Sequence, residues 1–300
     1  MLQHLANFVY GLGIGIANVI PGVSGGTMAL IFGIYERVIG AASQGVRAGL
    51  LLLKTDFAGF LSRLRQMPWM FLGPLTLGIL AAPFLGASLL SDLLERYPEV
   101  MRGLFFGLIV GSLPIPWLRI GNRGARTWIL IVLAAAAAWM LSGLPTRADA
   151  DPGMLMVFGS AALAISAMVL PGVSGAYLLL ILGIYQATLN ALESFDVVFI
   201  SVFAAGAGVG LAAFTVLLNW LLKHRHDATM AVLVGLMAGS LRALWPWLST
   251  ESEVLMPGSG DAVLPVVAAG VLGLLLTGVL TWWELSRSGS EGKQPVPEAG

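Results

Sequence analysis

The chain has 300 residues, 57% of them hydrophobic and 11% charged, with 16 basic residues, 16 acidic residues and no cysteine. A soluble domain carries about 25% charged residues, so the composition points to a polytopic α-helical membrane protein. It excludes disulfides and thiolate metal sites, and the balanced charge leaves no overall nucleic-acid signature.

The first stretch, MLQHLANFVY, lacks a basic n-region and a small-residue cleavage site, so it reads as retained structure and not as a removed signal. Residues 5–40 are too long for one span of ~20 residues and are interrupted by PGVSG. Each arm falls short of a ~30 Å hydrocarbon core at 1.5 Å per residue, which predicts a broken, re-entrant hairpin. In residues 45–66, Leu50, Leu53, Phe57, Phe60, Leu61 and Leu64 recur at helical spacing between Arg47, Lys54, Arg63 and Arg65. That pattern predicts an interfacial helix. Apolar runs at 69–91, 101–118 and 127–144 complete a first unit over residues 1–150. A second broken hairpin at 154–192 and spans at 197–222, 229–247 and 262–284 form a second unit, 151–285. The polar tail 286–300 reads as disordered and cytoplasmic. A β-barrel would show short alternating segments instead.

The two hairpins are near copies. IPGVSGGTMALIFGIYERV begins at Ile20 and LPGVSGAYLLLILGIYQAT at Leu170, and GLIVGSL at 107–113 matches GLMAGSL at 235–241. Each half is thus a broken hairpin followed by three spans, and an odd number of spans inverts the second half relative to the first. The expected fold is all-α, with two inverted repeats. If the hairpins return to their own side, all basic residues except Arg96, Arg102, Arg147 and Arg242 share one side. The positive-inside rule makes that side the cytoplasm, together with both termini.

Irregular backbone survives at membrane depth only inside protein or beside a water-filled cavity. After Pro21 or Pro171 the glycines let the chain reverse, and the next arm begins near Gly25 or Gly175 with unpartnered N–H groups. Those donors and the positive helix end suit an anion, with Ser24, Thr27 and Ser174 adding hydroxyls. Small residues also serve close helix packing. Two copies at inverted positions, each after a proline, favour the anion site.

Arg102 and Arg242 lie near the outer face, where they either attract an anionic headgroup or snorkel. Glu36 and Arg37 close the first hairpin beside Tyr35, and Tyr185 holds the matching position in the second, where Gln186 and Ala187 follow. These residues are the candidates for gating or coupling, against the plainer reading of Glu36 and Arg37 as an interfacial ion pair. Gly11, Gly13 and Gly15 resemble part of a dinucleotide fingerprint but lack a βαβ setting, so helix packing explains them. His4, His224 and His226 read as solvated rim residues. No spacing of His, Asp and Glu suggests a metal centre, and no Ser/His/Asp grouping is visible.

The doubled PGVSG hairpin, each copy followed by GIY, resembles the polyprenyl-phosphate transporter family, long catalogued as a domain of unknown function. The resemblance covers about residues 1–285. It implies a flippase that returns undecaprenyl phosphate from the outer to the inner leaflet of the bacterial cytoplasmic membrane, recycling the carrier for peptidoglycan and other envelope polymers. Carried over residue by residue, it points to Gly22, Ser24, Gly25, Gly26 and Thr27 and to Gly172, Ser174 and Gly175. Ala176 and Tyr177 stand where the first copy has Gly26 and Thr27, so the two copies need not clamp a headgroup symmetrically. No cofactor is expected; net retrieval against the membrane potential needs either rapid consumption at the inner leaflet or a coupling proton or sodium ion. The alternatives are a carrier or channel for a small anion and, in another class, an integral-membrane enzyme acting on a lipid phosphate.

Overall fold

The computed structural model describes residues 2–19, 24–145, 152–249 and 253–291, and its regular structure there is helical apart from one isolated bridge between Leu248 and Val254. Pro21 and Gly22 lie outside the described residues.

The first half begins with α1 (Leu2–Val19), α2 (Gly25–Ile31) and α3 (Tyr35–Leu53). It continues with α4 (Phe57–Arg65), α5 (Trp69–Arg96), α6 (Pro98–Ser112), α7 (Pro114–Leu118) and α8 (Ala125–Leu141). The second half has α9 (Met154–Val169), α10 (Gly175–Ile181), α11 (Tyr185–Glu193), α12 (Val197–His224), α13 (His226–Ser240), a 3-10 turn at Leu241–Leu244 and α14 (Val263–Glu291).

Three stretches among the described residues are long and apolar enough to cross a membrane: Pro98–Leu118, Val197–His224 and His226–Leu244. The bent pair α10 and α11 makes a fourth if counted as one span. Trp69–Ala82, Ala125–Leu141, Met154–Val169 and Val263–Val279 are shorter apolar stretches. Large apolar side chains face outward along α8 and α14, among them Val132, Leu133, Leu264 and Leu275. Exposed rows of this kind suit lipid, not water. The chain is a multi-pass membrane protein.

The packing pairs repeat. α1 packs along α5 as α9 packs along α12, and α6 packs along α14 as α13 packs along α8. Each pair is closed by two glycines four residues apart: Gly11 and Gly15, Gly206 and Gly210, Gly103 and Gly107, Gly235 and Gly239. A Cβ at any of them would collide with the facing helix. This is how helices associate in lipid, where close backbone approach replaces a hydrophobic driving force. Gly11 and Gly15 therefore serve packing, as the sequence suggests, and Gly13 lies against the Phe32 ring.

Three features differ from the sequence reading. The arm after each PGVSG is not one helix. α2 and α10 stop after seven residues, and α11 leaves α10 at 104°. Gly33 (φ 68°) and Gly183 (φ 81°) take the left-handed conformation that ends a helix. Ile34 N–H reaches back to Ala29 O and Ile184 N–H to Leu179 O, at 2.9 and 3.0 Å, completing the same cap twice. The interfacial helix is shorter than 45–66. α3 runs on to Leu53, and α4 starts afresh because the Asp56 carboxylate caps Gly59 N–H at 2.8 Å. Finally, α14 continues past Ser286 to Glu291, and residues 292–300 lie outside the described part.

Candidate functional site

The two repeated turns touch. Ser24 is the N-cap of α2, and its side chain accepts from Gly26 N–H at 3.1 Å. Its own hydroxyl donates across to the second turn, 3.0 Å from Leu170 O and 3.2 Å from Met168 O. The Thr27 hydroxyl accepts from Gly172 N–H at 3.0 Å, and the Tyr35 hydroxyl donates to Val169 O at 3.3 Å. Ser24, Thr27 and Tyr35 are 2%, 1% and 1% exposed, so these bonds are dry and correspondingly firm. Gly26 permits the approach, because a Cβ there would sit 2.6 Å from Val169 O.

Gly172 is required twice over. Its φ is 81°, and a Cβ would lie 2.7 Å from the Met237 Cα on α13. Gly175 lies against the Ala164 carbonyl of α9 and Gly25 against the Asn18 side chain, each too close for a Cβ.

The copies differ in what they leave open. In the first, Gly25 N–H donates to Asn18 Oδ1 at 3.0 Å and Gly26 N–H to Ser24, so the start of α2 is fully capped from within. In the second, Ser174 accepts only from Tyr177 N–H, at 3.3 Å. Gly175 and Ala176 N–H meet no acceptor among the described residues. Beside them Gly172, Ser174, Tyr177, Ser142 and Ser240 line a cavity of about 30 Å³. That is room for about one water molecule. The Tyr177 hydroxyl closes its edge by donating to Ser142 O (3.0 Å) and Leu144 O (3.2 Å), just past the end of α8.

Arg242 belongs to this end of the bundle. Its guanidinium donates to Trp139 O at 3.2 Å, lies 5.3 Å from the Trp139 ring centre and covers Gly143. Arg102 is placed elsewhere at the same end, donating to Pro246 O at 3.4 Å.

At the opposite end Glu36 receives Arg119 at 3.3 Å and His226 at 3.5 Å. Asp227 accepts from Gly121 and Asn122 N–H and sits 3.6 Å from His226. Glu36 thereby joins α3 of the first half to α13 of the second. Arg37 does not share the cluster; it lies 4.0 Å above the Phe71 ring. Tyr185 is half-buried at the start of α11. His226 is no free rim residue, and the sequence reading missed it, together with Arg119, Asp227, Asn18 and Tyr177. Only Asn18 gives a local signal, as a polar residue in an otherwise apolar arm. Among the described residues no group of three or more His, Cys, Asp or Glu could hold a metal ion.

The undecaprenyl phosphate translocase-like family model matches residues 14–261. The chain belongs to this family. Two curated relatives are similar along most of their length, and both are named polyprenyl-phosphate transporters. The one from Vibrio cholerae is 35% identical over 84% of this chain and 80% of its own. The one from Staphylococcus aureus is 30% identical over 82% of this chain and 87% of its own. No solved structure matches the chain significantly. The family match spans both repeated turns and the Glu36 cluster.

Proposed function

We propose that the chain returns undecaprenyl phosphate from the outer to the inner leaflet of the bacterial cytoplasmic membrane, holding the phosphate at the repeated turns while the prenyl tail stays in lipid. The relatives' names support the substrate class. The observation that carries the site is the contact of the two turns, Ser24 on Leu170 and Thr27 on Gly172. It brings two breaks in apolar helices together inside protein, where unpaired backbone is tolerated.

The division of labour is unequal. The first turn is a clasp whose donors are used up. The second presents to the phosphate Ser174 and the Gly175 and Ala176 N–H groups, which meet no acceptor among the described residues, while Arg242 lies over Gly143 at the same end. The halves are inverted, and the repeated packing pairs favour this. The basic end is cytoplasmic. There the cavities are about 320 and 500 Å³, against about 30 Å³ beside Ser174. Tyr177 and Arg242 serve as the outer bar, and the Arg119–Glu36 pair as the contact at the inner end. Alternating access moves the opening across the turns.

A headgroup of one or two negative charges moving inward works against an inside-negative potential, at about 2.3 kcal/mol per charge per 100 mV. Net retrieval therefore needs either rapid consumption at the inner leaflet or a co-transported proton or sodium ion. Glu36 is the carboxylate placed to take part, since it links the halves at the inner end.

Proteoliposomes carrying labelled undecaprenyl phosphate test the reading. The protein should move label between leaflets without releasing phosphate from the lipid. Release would make it an enzyme, and uptake of inorganic phosphate without lipid movement would make it a small-anion carrier.

A further inference from the structure

The cavity of about 320 Å³ at the basic end has features that the turns do not explain. Three cations from three helices surround it: Arg47 of α3, Arg63 of α4 and Lys223 of α12. Among the described residues none of the three makes an ion pair. The one carboxylate on the rim, Glu36, is already engaged by Arg119 and His226. The floor is polar and buried. Asn219, 9% exposed, donates to the Ser43 hydroxyl at 3.4 Å. Ser43 is 1% exposed, and its own proton meets no acceptor among the described residues. The Ser43 hydroxyl is therefore a donor available to an acceptor in the cavity.

We infer that this cavity is a second binding site, for a phosphomonoester dianion, separate from the paired turns. Such a group carries about −1.5 to −2 charges at pH 7 and several strong acceptor oxygens. Three cations that make no ion pair among the described residues, around the neutral Ser43, Gln44 and Asn219, match that charge and that number of acceptors better than they match a carboxylate. The phosphate oxygens take the Ser43 hydroxyl at the floor and, at the mouth, the two guanidiniums, whose bonds are charge-assisted. The mouth lies at headgroup level. α4 buries none of its residues and exposes Phe57 and Leu61, an apolar face suited to the bilayer surface. The phosphate can therefore arrive on a lipid or free in the cytoplasm, and the chemistry of the site is the same for both. Only the lipid-borne case rests on the transport reading above; there the cavity is where a headgroup waits on the inner side.

The test is equilibrium binding to the full chain in nanodiscs, with farnesyl phosphate, farnesol and inorganic phosphate as probes. Farnesyl phosphate should bind and farnesol should not. Arg47→Gln with Arg63→Gln should weaken binding by roughly a hundredfold, and Ser43→Ala by roughly tenfold, at about 1.4 kcal/mol per tenfold. Gly159→Ala in α9, outside both sites and with nothing within 4 Å of an added Cβ, should leave this binding unchanged. Inorganic phosphate binding as tightly as farnesyl phosphate identifies a free-phosphate site, and tenfold weaker binding identifies a lipid headgroup. Wild-type affinity in both the double variant and Ser43→Ala overturns the proposal. Loss of binding in Ser174→Ala alone overturns it too, by placing the ligand at the turns. Transport is read separately, so lost binding with intact transport rejects the lipid-borne role while leaving the headgroup site at the turns in place.

Discussion

The Ser24 hydroxyl donates to the Leu170 carbonyl across 3.0 Å, joining two turns that lie in opposite halves of the chain. The same side chain caps α2 through Gly26 N–H. Ser24→Ala therefore removes a cap worth about 0.5–2 kcal/mol and a bond worth about 1 kcal/mol. Thermal unfolding in nanodiscs should show a lower midpoint for Ser24→Ala. Thr27→Val, which strands Gly172 N–H, should cost about 1–3 kcal/mol more directly. An unchanged midpoint in both would mean that the clasp adds nothing to stability.

Gly172→Ala should be among the most damaging single changes. It forces a left-handed residue to carry a Cβ and drives that Cβ into the α13 backbone. Gly159→Ala in α9 is the control, since a Cβ there meets nothing within 4 Å. It should be neutral or stabilising by up to about 1 kcal/mol, as alanine is the better helix former. Folded yield by size-exclusion chromatography separates the two.

Tyr177→Phe should loosen the outer bar, because it deletes the hydroxyl that meets Ser142 O and Leu144 O. The chain has no cysteine, so Ser174→Cys gives a single reporter. An impermeant maleimide applied from outside should label it slowly in the parent and faster with Tyr177→Phe. Equal rates would remove Tyr177 from the gate.

Glu36→Gln should blunt any stimulation of inward transport by an imposed proton or sodium gradient, read as initial uptake at fixed voltage. Arg119→Gln should leave the response to the gradient but weaken closure at the inner end, where Arg119 meets Glu36. A full response to the gradient in Glu36→Gln would exclude Glu36 as the coupling group.

Much of this is legible in the sequence, for physical reasons. The runs at 101–118, 197–222 and 229–247 correspond to Pro98–Leu118, Val197–His224 and His226–Leu244, because apolar length is a one-dimensional property. The break at PGVSG is legible because proline and glycine announce it. The second break, at Gly33 and Gly183, is not. A lone glycine in an apolar run fits packing as well as a left-handed cap, although its repetition in both GIY copies was a signal. The meeting of Glu36 with His226 is a tertiary event that no local pattern encodes. The inequality of the two turns is half legible. Ala176 and Tyr177 replace Gly26 and Thr27, but only the bonds of Asn18, Ser24 and Tyr177 separate clasp from open donor.

The central claim is that the second turn binds the phosphate and the first only holds it in place. Leaflet-resolved transport of labelled undecaprenyl phosphate in proteoliposomes, normalised to folded protein, compares Ser24→Ala with Ser174→Ala. The account predicts that Ser174→Ala transports roughly tenfold more slowly, at about 1.4 kcal/mol of lost contact, while Ser24→Ala keeps the rate of its folded fraction. Full-rate transport by Ser174→Ala, with Ser24→Ala inactive though folded, would contradict it.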